Sequence, residues 1–291
     1  MKFSWLDKEE YPFTSRFINL EGQQLHYIEE GEGETILFVH GTPSWSFDFR
    51  KVICELLPEY HCVAMDHLGF GLSEKPRIAD YTPQTHSRRL ESFVLTKNFN
   101  KITLVLHDFG GPIGFHFAMQ HPEKIRRLVV LNSWMWSIVG EPEFNKLKKM
   151  VNNPVLPFLY RYLNFSPRFI MPASFGKIKL SKKIKKQYTA PFQNWYEREG
   201  MLAFARSLVN DQNWFGELHE KSISIRNKEV LIIWGQKDPI LGMAYLHRFM
   251  DIFPNHRVMK LVEAGHFPQE ENPLEIAHEI RTFMRSGKRE E

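Results

Sequence analysis

Short apolar runs alternate along the chain with longer amphipathic runs, and the two patterns predict different elements. Uninterrupted runs of β-branched and aliphatic residues predict buried strands at 35–39, 61–65, 103–106, 125–131, 230–234 and 257–262. Amphipathic runs predict helices at about 47–57, 82–97, 113–120, 243–253 and 273–285. Two alternating runs around Glu21-Gly22 predict an N-terminal hairpin. Strands that alternate with helices predict an α/β fold with a mostly parallel sheet and helices on both faces.

The alternation breaks at about Trp134 and resumes after about Arg226. The interval has helical periodicity and many aromatic residues, but no convincing core strand, and prolines divide it into short helices. We therefore predict a helical cap at 134–226, inserted between the first part of the core at 1–133 and its second part at 227–291.

The third core strand ends in Asp108, which is followed by Phe109, two glycines and Pro112 at the start of a predicted helix. Strand, sharp turn and helix are the setting of a nucleophile elbow, which lifts one side chain above the sheet. Here that side chain is a carboxylate. Attack of a carboxylate on a saturated carbon gives an ester that water can hydrolyse, whereas attack on an ester carbonyl would give an anhydride. The alternative is that Asp108 only caps the helix.

Two further groups follow predicted strand ends, Asp238 before Pro239 and His266 after Gly265. Each alone is compatible with an ordinary turn or loop. Nucleophile, acid and histidine in this chain order, each past a strand end, predict a catalytic triad of Asp108, Asp238 and His266. His266 would activate water, and Asp238 would orient the imidazole and stabilise its charged form.

An oxyanion at Asp108 needs hydrogen-bond donors, and the pattern offers two backbone N–H groups. One belongs to Phe109 at the helix start and the other to Thr42 in the loop after the first core strand. A simple turn at 40–43 is the alternative. His107 is predicted to point away from Asp108, because neighbours on a strand alternate, and so to be structural.

Composition and charge exclude several classes of protein. The 291 residues are 43 % hydrophobic, with no apolar run long enough to span a membrane, and the N-terminus carries acids where a signal peptide is apolar. Cys54 and Cys62 are expected to be buried free thiols, which suits the cytoplasm. A net charge of +4 does not suggest nucleic acid, and no spacing implies a metal or cofactor. The basic run 177–186 is expected to be a solvated helical face, with contact to anionic membrane as the alternative.

Together these residues resemble the carboxylate-nucleophile branch of the α/β-hydrolase superfamily, which contains haloalkane dehalogenases and epoxide hydrolases. The matching stretches are 40–47, 66–73, 107–114, 188–192, 234–239, 264–267 and 269–270. The resemblance implies hydrolysis of a small or medium apolar substrate through an ester on Asp108, by dehalogenation first and epoxide opening second. A ligand-binding protein or a cofactor-free oxygenase is the alternative from another class.

Two residues depart from the dehalogenase pattern. Phe109 stands where these enzymes usually have a halide-binding Trp, and Thr42 stands where many have Asn. Phe has no N–H donor, so another indole would be needed, from Trp134, Trp136, Trp195 or Trp214. Epoxide opening would need a cap tyrosine, for which Tyr160, Tyr162, Tyr188 and Tyr196 are candidates. The arginine that follows the nucleophile in fluoroacetate dehalogenases is absent, which disfavours a small anionic acid. The residues expected to line the substrate site are Trp134, Trp136, Tyr188, Phe192, Trp195 and Phe267.

Overall fold

The computed structural model describes residues 3–286 and has one eight-stranded sheet at its centre. The strand order is β1-β2-β4-β3-β5-β6-β7-β8. β1 and β2 form the predicted hairpin and β2 is antiparallel to β4, whereas all other neighbours are parallel. The predicted α/β class is therefore confirmed. The strands are β1 (Arg16–Leu20), β2 (Gln23–Glu30), β3 (Thr35–Val39), β4 (His61–Met65), β5 (Ile102–Asp108), β6 (Ile125–Ser133), β7 (Glu229–Gly235) and β8 (His256–Leu261).

Helices cover both faces of the sheet. Apolar side chains from α2, α3 and α10 form one buried layer, and those from α1 and α12 form the other. The core helices are α1 (Arg50–Leu56), α2 (Pro83–Thr96), α3 (Gly110–Gln120), α10 (Met243–Ile252), α11 (Pro268–Glu271) and α12 (Pro273–Ser286). The first predicted helix is shorter than expected, because its start, Ser46–Phe49, is a 3-10 turn.

The expectation that both cysteines are buried is wrong for one of them. Cys62 lies inside β4, but Cys54 is exposed on α1. Cys54 occupies the outer side of a helix whose other face packs on the sheet, so its apolar neighbours in sequence do not surround it in space.

The interval between β6 and β7 is helical in the described structure. It contains α4 (Pro142–Val151), α5 (Val155–Leu163), α6 (Met171–Ala173), α7 (Lys182–Thr189), α8 (Glu199–Asn210) and α9 (Gln212–Lys221). A π-helical turn, Ser166–Ile170, joins α5 to α6. These helices lie over the carboxyl ends of the parallel strands, where α/β proteins bind ligands. No helix within residues 3–286 is long and apolar enough to cross a membrane.

Candidate active site

Asp108 lies at the turn between β5 and α3, in a backbone conformation that ordinary residues rarely adopt. Its φ is +50°, in the left-handed region, and α3 begins two residues later at Gly110. A Cβ on Gly110 would collide with the carbonyl of Val39, and a Cβ on Gly41 would collide with the Asp108 carboxylate. The two glycines therefore allow β3 and the elbow to approach closely enough to place the loop after β3 against the carboxylate.

Both carboxylate oxygens of Asp108 have a defined neighbour. The backbone N–H of Thr42 donates a 2.7 Å hydrogen bond to Oδ1, and Nε2 of His266 lies 3.3 Å from Oδ2. The hydroxyl of Ser133 donates a hydrogen bond to the backbone carbonyl of Asp108 and so helps to fix the turn. Phe109, the other predicted oxyanion residue, follows directly as the residue before α3. One oxygen is thus held by a donor while the other faces the histidine.

His266 also contacts the third predicted residue, Asp238. Its Nδ1 lies 2.7 Å from Asp238 Oδ2, and Oδ1 of Asp238 accepts the backbone N–H groups of Ile240 and Leu241. Burial alone would raise the pKa of Asp238, but the charge of His266 and these hydrogen bonds hold it below its usual range. Burial alone would lower the pKa of His266, but the charge of Asp238 and the hydrogen bond and charge of Asp108 raise it to about 10.

Asn132 is a member of this site that the sequence analysis missed. Its side-chain N–H₂ donates to Asp238 Oδ2 over 2.8 Å, and its carbonyl oxygen accepts the backbone N–H of Gly235. Leu131 pairs with His107 and Ser133 pairs with Asp108, so Asn132 is an extra residue in β6 with φ +27°. Such a bulge re-aims a side chain next to an active site. The only sequence signal was a polar residue directly after the predicted strand 125–131.

The backbone of His266 is fixed on both sides. Nε2 of His107 lies 2.7 Å from the His266 carbonyl, and the N–H of His266 donates to the carbonyl of Ser174 in the cap. Nδ1 of His107 lies 3.2 Å from the buried carboxylate of Asp48. The His107 ring thus has a structural role, because it holds the backbone of His266, the residue predicted to supply the catalytic imidazole.

A cavity of about 990 Å³ opens above Asp108. Its lining is mostly apolar and contains Thr42, Phe109, Asp238 and His266, but no Lys or Arg among the described residues. Such a volume accommodates a medium-sized apolar molecule.

Of the six aromatic residues predicted for the substrate site, two line the cavity and four do not. Trp134 and Phe267 line the cavity, and the Trp134 ring stands edge-on to Phe109 with centroids 4.8 Å apart. Trp136, Tyr188, Phe192 and Trp195 do not line it. Trp136 stacks on Tyr245, and Trp195 is 42 % exposed. Phe192 packs against Phe70, and the Tyr188 hydroxyl donates to Glu270.

One of the four candidate tyrosines reaches the cavity. Tyr160 lines it, and burial, together with the weaker effect of the Asp108 charge, raises the pKa of Tyr160 to about 12. Tyr162, Tyr188 and Tyr196 lie outside the lining, as does Trp214. Within residues 3–286, no group of three His, Cys, Asp or Glu side chains is placed to hold a metal ion.

The sequence is similar to a known family model and to characterised enzymes. The family model described as the alpha/beta hydrolase fold matches residues 34–273. A cis-3-alkyl-4-alkyloxetan-2-one decarboxylase from Shewanella oneidensis is 33 % identical over 94 % of this chain and 89 % of its own. A haloalkane dehalogenase 2 from Mycobacterium tuberculosis is 30 % identical over 94 % of this chain and 96 % of its own.

The fold is also similar to solved structures of haloalkane dehalogenases. A putative ancestral haloalkane dehalogenase has a TM-score of 0.85 at 25 % identity and covers 93 % of this chain and 98 % of its own. The haloalkane dehalogenase DatA from Agrobacterium tumefaciens has a TM-score of 0.84 at 25 % identity and covers 94 % of this chain and 96 % of its own.

Proposed function

Because the chain belongs to the α/β-hydrolase family, we propose that it hydrolyses a carbon–halogen bond of an apolar alkyl substrate through a covalent ester on Asp108. The observation that carries the proposal is the position of Asp108. Its carboxylate lies at the elbow between a backbone donor and the triad histidine, at the floor of an apolar cavity. A carboxylate in this position is suited to attack carbon.

In the first step, Oδ2 of Asp108 attacks the carbon that carries the halogen. Oδ1 is already engaged by the Thr42 N–H, which leaves Oδ2, the oxygen that faces His266, as the nucleophile. The new C–O bond forms as the carbon–halogen bond breaks, and the halide leaves with the bonding electron pair. Neither water nor proton transfer is needed.

The second step needs His266 as a base, and the first step prepares it. With both neighbouring carboxylates ionised, the pKa of His266 is about 10 and the imidazole keeps its proton at neutral pH. Esterification removes the charge of Asp108, so the pKa of His266 falls and the ring can give up this proton and then take one from water. The hydroxide formed attacks the ester carbonyl, where the N–H of Thr42 stabilises the oxyanion. The bond from the carbonyl carbon to the alkyl oxygen then breaks, the proton of the added hydroxyl passes to that oxygen, and the alcohol leaves with the Asp108 carboxylate restored.

The leaving halide needs a donor that Phe109 cannot supply, and Thr42 offers one. Its hydroxyl oxygen is buried and has no hydrogen-bond partner within residues 3–286, although the residue lines the cavity. A buried hydroxyl without a hydrogen-bond partner costs free energy unless a ligand supplies the partner. Thr42 would therefore have two roles, with its backbone N–H on Asp108 and its side-chain hydroxyl on the halide. The indole of Trp134, which lines the cavity edge-on to Phe109, is a second candidate donor.

A second candidate reaction is favoured by the decarboxylase relatives, at 33 % and 29 % identity. Attack of Asp108 on C4 of an oxetan-2-one would break the C4–O1 bond and give the same type of ester, with a free carboxylate on C3. Loss of CO₂ would then form the C3–C4 double bond and release Asp108. This route consumes no water and needs no base.

A substrate panel tests the proposal and separates the two routes. Purified protein is incubated with 1-bromohexane, 1-chlorohexane, styrene oxide and a cis-3,4-dialkyloxetan-2-one, and bromide, chloride, diol and alkene are measured. We expect bromide release to exceed chloride release, because bromide is the better leaving group. The matched variant is His266→Gln, which should release one equivalent of bromide and then stop, but should still convert the lactone. Absence of any product from the whole panel would contradict the proposal.

A further inference from the structure

Helix α5 is apolar on its outer side as well as on its inner side. Its inner residues Leu156 and Tyr160 are buried, yet Phe158 is 54 % and Tyr162 is 60 % exposed. The two outer rings are one helical turn apart, with centroids separated by 5.2 Å. A helix that is apolar on all sides is normally enclosed. The outer face of α5 therefore lacks a covering partner in the described chain.

Exposed apolar residues continue beyond α5 and form one patch, which we define as Met150, Val155, Phe158, Tyr162 and Phe169. Single exposed apolar side chains are ordinary, but five on successive segments of the cap, two of them in ring contact, point to an interaction surface. Two members, Met150 and Val155, are half exposed and also line the cavity. The patch thus borders the cavity.

Positive charge is concentrated in the segment of the chain that carries this patch. Between Glu141 and Ala190 there are eleven Lys or Arg and two acids, a net charge of +9, against +4 for the whole chain. Lys183 is engaged by Asp7, Glu9 and Glu10. No acidic side chain in residues 3–286 lies within ion-pair distance of the exposed cations Lys146, Lys148, Lys149, Arg168, Lys177, Lys179, Lys182, Lys185 and Lys186.

From this arrangement we propose that the cap docks on an anionic membrane surface, with the aromatic outer face of α5 in the headgroup region and the cavity mouth facing the acyl chains. The charge excludes a second copy as the favoured occupant, because two surfaces of net positive charge repel each other. The exposed aromatic and aliphatic side chains distinguish the surface from a purely electrostatic site for a polyanion. Basic residues around an apolar face are the pattern of interfacial membrane binding.

Docking would define the substrate class. An alkyl chain dissolved in the bilayer would enter between Met150 and Val155 and reach Asp108 without crossing water. This part rests on the proposed function, because it assumes that the reacting carbon is carried by a long apolar chain. The docking itself does not depend on any reaction.

Vesicle sedimentation without substrate tests the docking. The probes are vesicles of phosphatidylcholine alone and vesicles that also contain phosphatidylglycerol, both at low salt. Native protein should bind only the anionic vesicles. A charge variant, Lys148→Glu/Lys149→Glu, should reduce partitioning at least tenfold, because one cation near an anionic surface contributes about fivefold. An apolar variant, Phe158→Ser/Tyr162→Ser, should also reduce partitioning at least tenfold. The controls are Lys260→Glu and Leu274→Ser, both exposed and outside the cap, and they should bind like native protein.

Three outcomes would overturn the docking proposal. The first is that native protein does not bind anionic vesicles. The second is that the apolar variant binds them as tightly as native protein does. The third is that native protein is a dimer and the apolar variant a monomer, with unchanged vesicle binding. Hydrolysis of the water-dispersed substrate 1-bromobutane separates this result from the proposed function. Turnover without vesicle binding removes only the docking, and binding without turnover of any substrate removes only the reaction. If both hold, 1-bromohexadecane should be hydrolysed several-fold faster in anionic than in neutral vesicles.

Discussion

Nε2 of His266 lies 3.3 Å from Oδ2 of Asp108, and this contact couples the charge of the proposed nucleophile to the proton on the proposed base. With Asp108 ionised, the pKa of His266 is about 10, although burial by itself would lower it. Asp238, on the other ring nitrogen, remains ionised throughout. The state of Asp108 therefore decides whether the imidazole holds a proton or can accept one.

Replacing Asp108 by Asn should lower the pKa of His266. The substitution removes one charge and leaves Asp238 in place, as esterification would. Asn also tolerates the left-handed backbone at this position. The pKa can be measured by nitrogen-15 NMR of the imidazole, with Asp80→Asn as a control for a distant carboxylate. An unchanged pKa of His266 in the Asp108→Asn variant would show that the two groups are not coupled.

Thr42→Val should slow the release of halide in the first turnover. Valine keeps the shape and the backbone N–H that holds Asp108, but lacks the hydroxyl assigned to the leaving group. Loss of a hydrogen bond to a charged group costs about 1.5–3 kcal/mol, which is roughly a tenfold to hundredfold slower step. Rapid-quench measurement of bromide from 1-bromohexane gives this rate. Thr42→Ser is the matched control and should stay near native. A native rate in the valine variant would remove Thr42 from the halide site.

Phe109→Trp should increase halide release but at a cost in stability. The Phe109 ring is buried and stacked on Phe204 with centroids 4.5 Å apart, so the larger indole overpacks the site by about 1–3 kcal/mol. Adding Phe204→Leu should make room and recover most of the stability. Chloride release and the melting temperature are measured for both variants. The halide-site account fails if the well-folded double variant is no faster than Phe204→Leu alone.

Stability should decrease as the pH falls below about 6.5. Burial holds the pKa of His67 and of His86 well below the usual value, so the unfolded chain takes up their protons first. Each such histidine would lower the free energy of unfolding by about 1.4 kcal/mol at pH 5.5. The raised pKa of His266 has the opposite sign, because its contribution is complete below pH 6.5 and is lost as the pH rises through 10.

His86→Phe provides the check on this acid sensitivity. Neither ring nitrogen of His86 has a partner within the described residues, and the ring packs against Phe70, Tyr81 and Phe204. An apolar ring of similar shape should therefore narrow the difference in melting temperature between pH 7.5 and pH 5.5. His278→Phe, on the outer face of α12, is the control and should leave that difference as it is.

The positions of the core strands along the chain and the elbow could be predicted from sequence because both depend on local patterns. Apolar runs of strand length, glycines and prolines carry enough information to place Asp108, Asp238 and His266 past strand ends. Leu106, two residues before Asp108, is accommodated by Gly114 in α3, since a Cβ on Gly114 would collide with its side chain. Such a compensation becomes visible only when strand and helix are packed together.

The residues around the cavity could not be predicted in the same way. Asn132 enters the site through a bulge in β6, and the cap helices decide which aromatic rings face Asp108. The orientation of a ring such as Trp136 or Trp195 depends on contacts with residues distant in sequence, Tyr245 for Trp136 and Arg77 for Trp195. Helical periodicity alone therefore did not separate the cavity lining from the core and the surface.

The nucleophile assignment is tested most directly by one turnover of native enzyme in oxygen-18 water, with a bromoalkane that the panel has confirmed as a substrate. Water that attacks the ester carbonyl leaves its oxygen in Asp108, so the peptide that contains Asp108 should gain the label and the first alcohol should carry the protein's own oxygen. Label found directly in the first alcohol, with Asp108 unlabelled, would show that water attacks the substrate and that Asp108 is not the nucleophile.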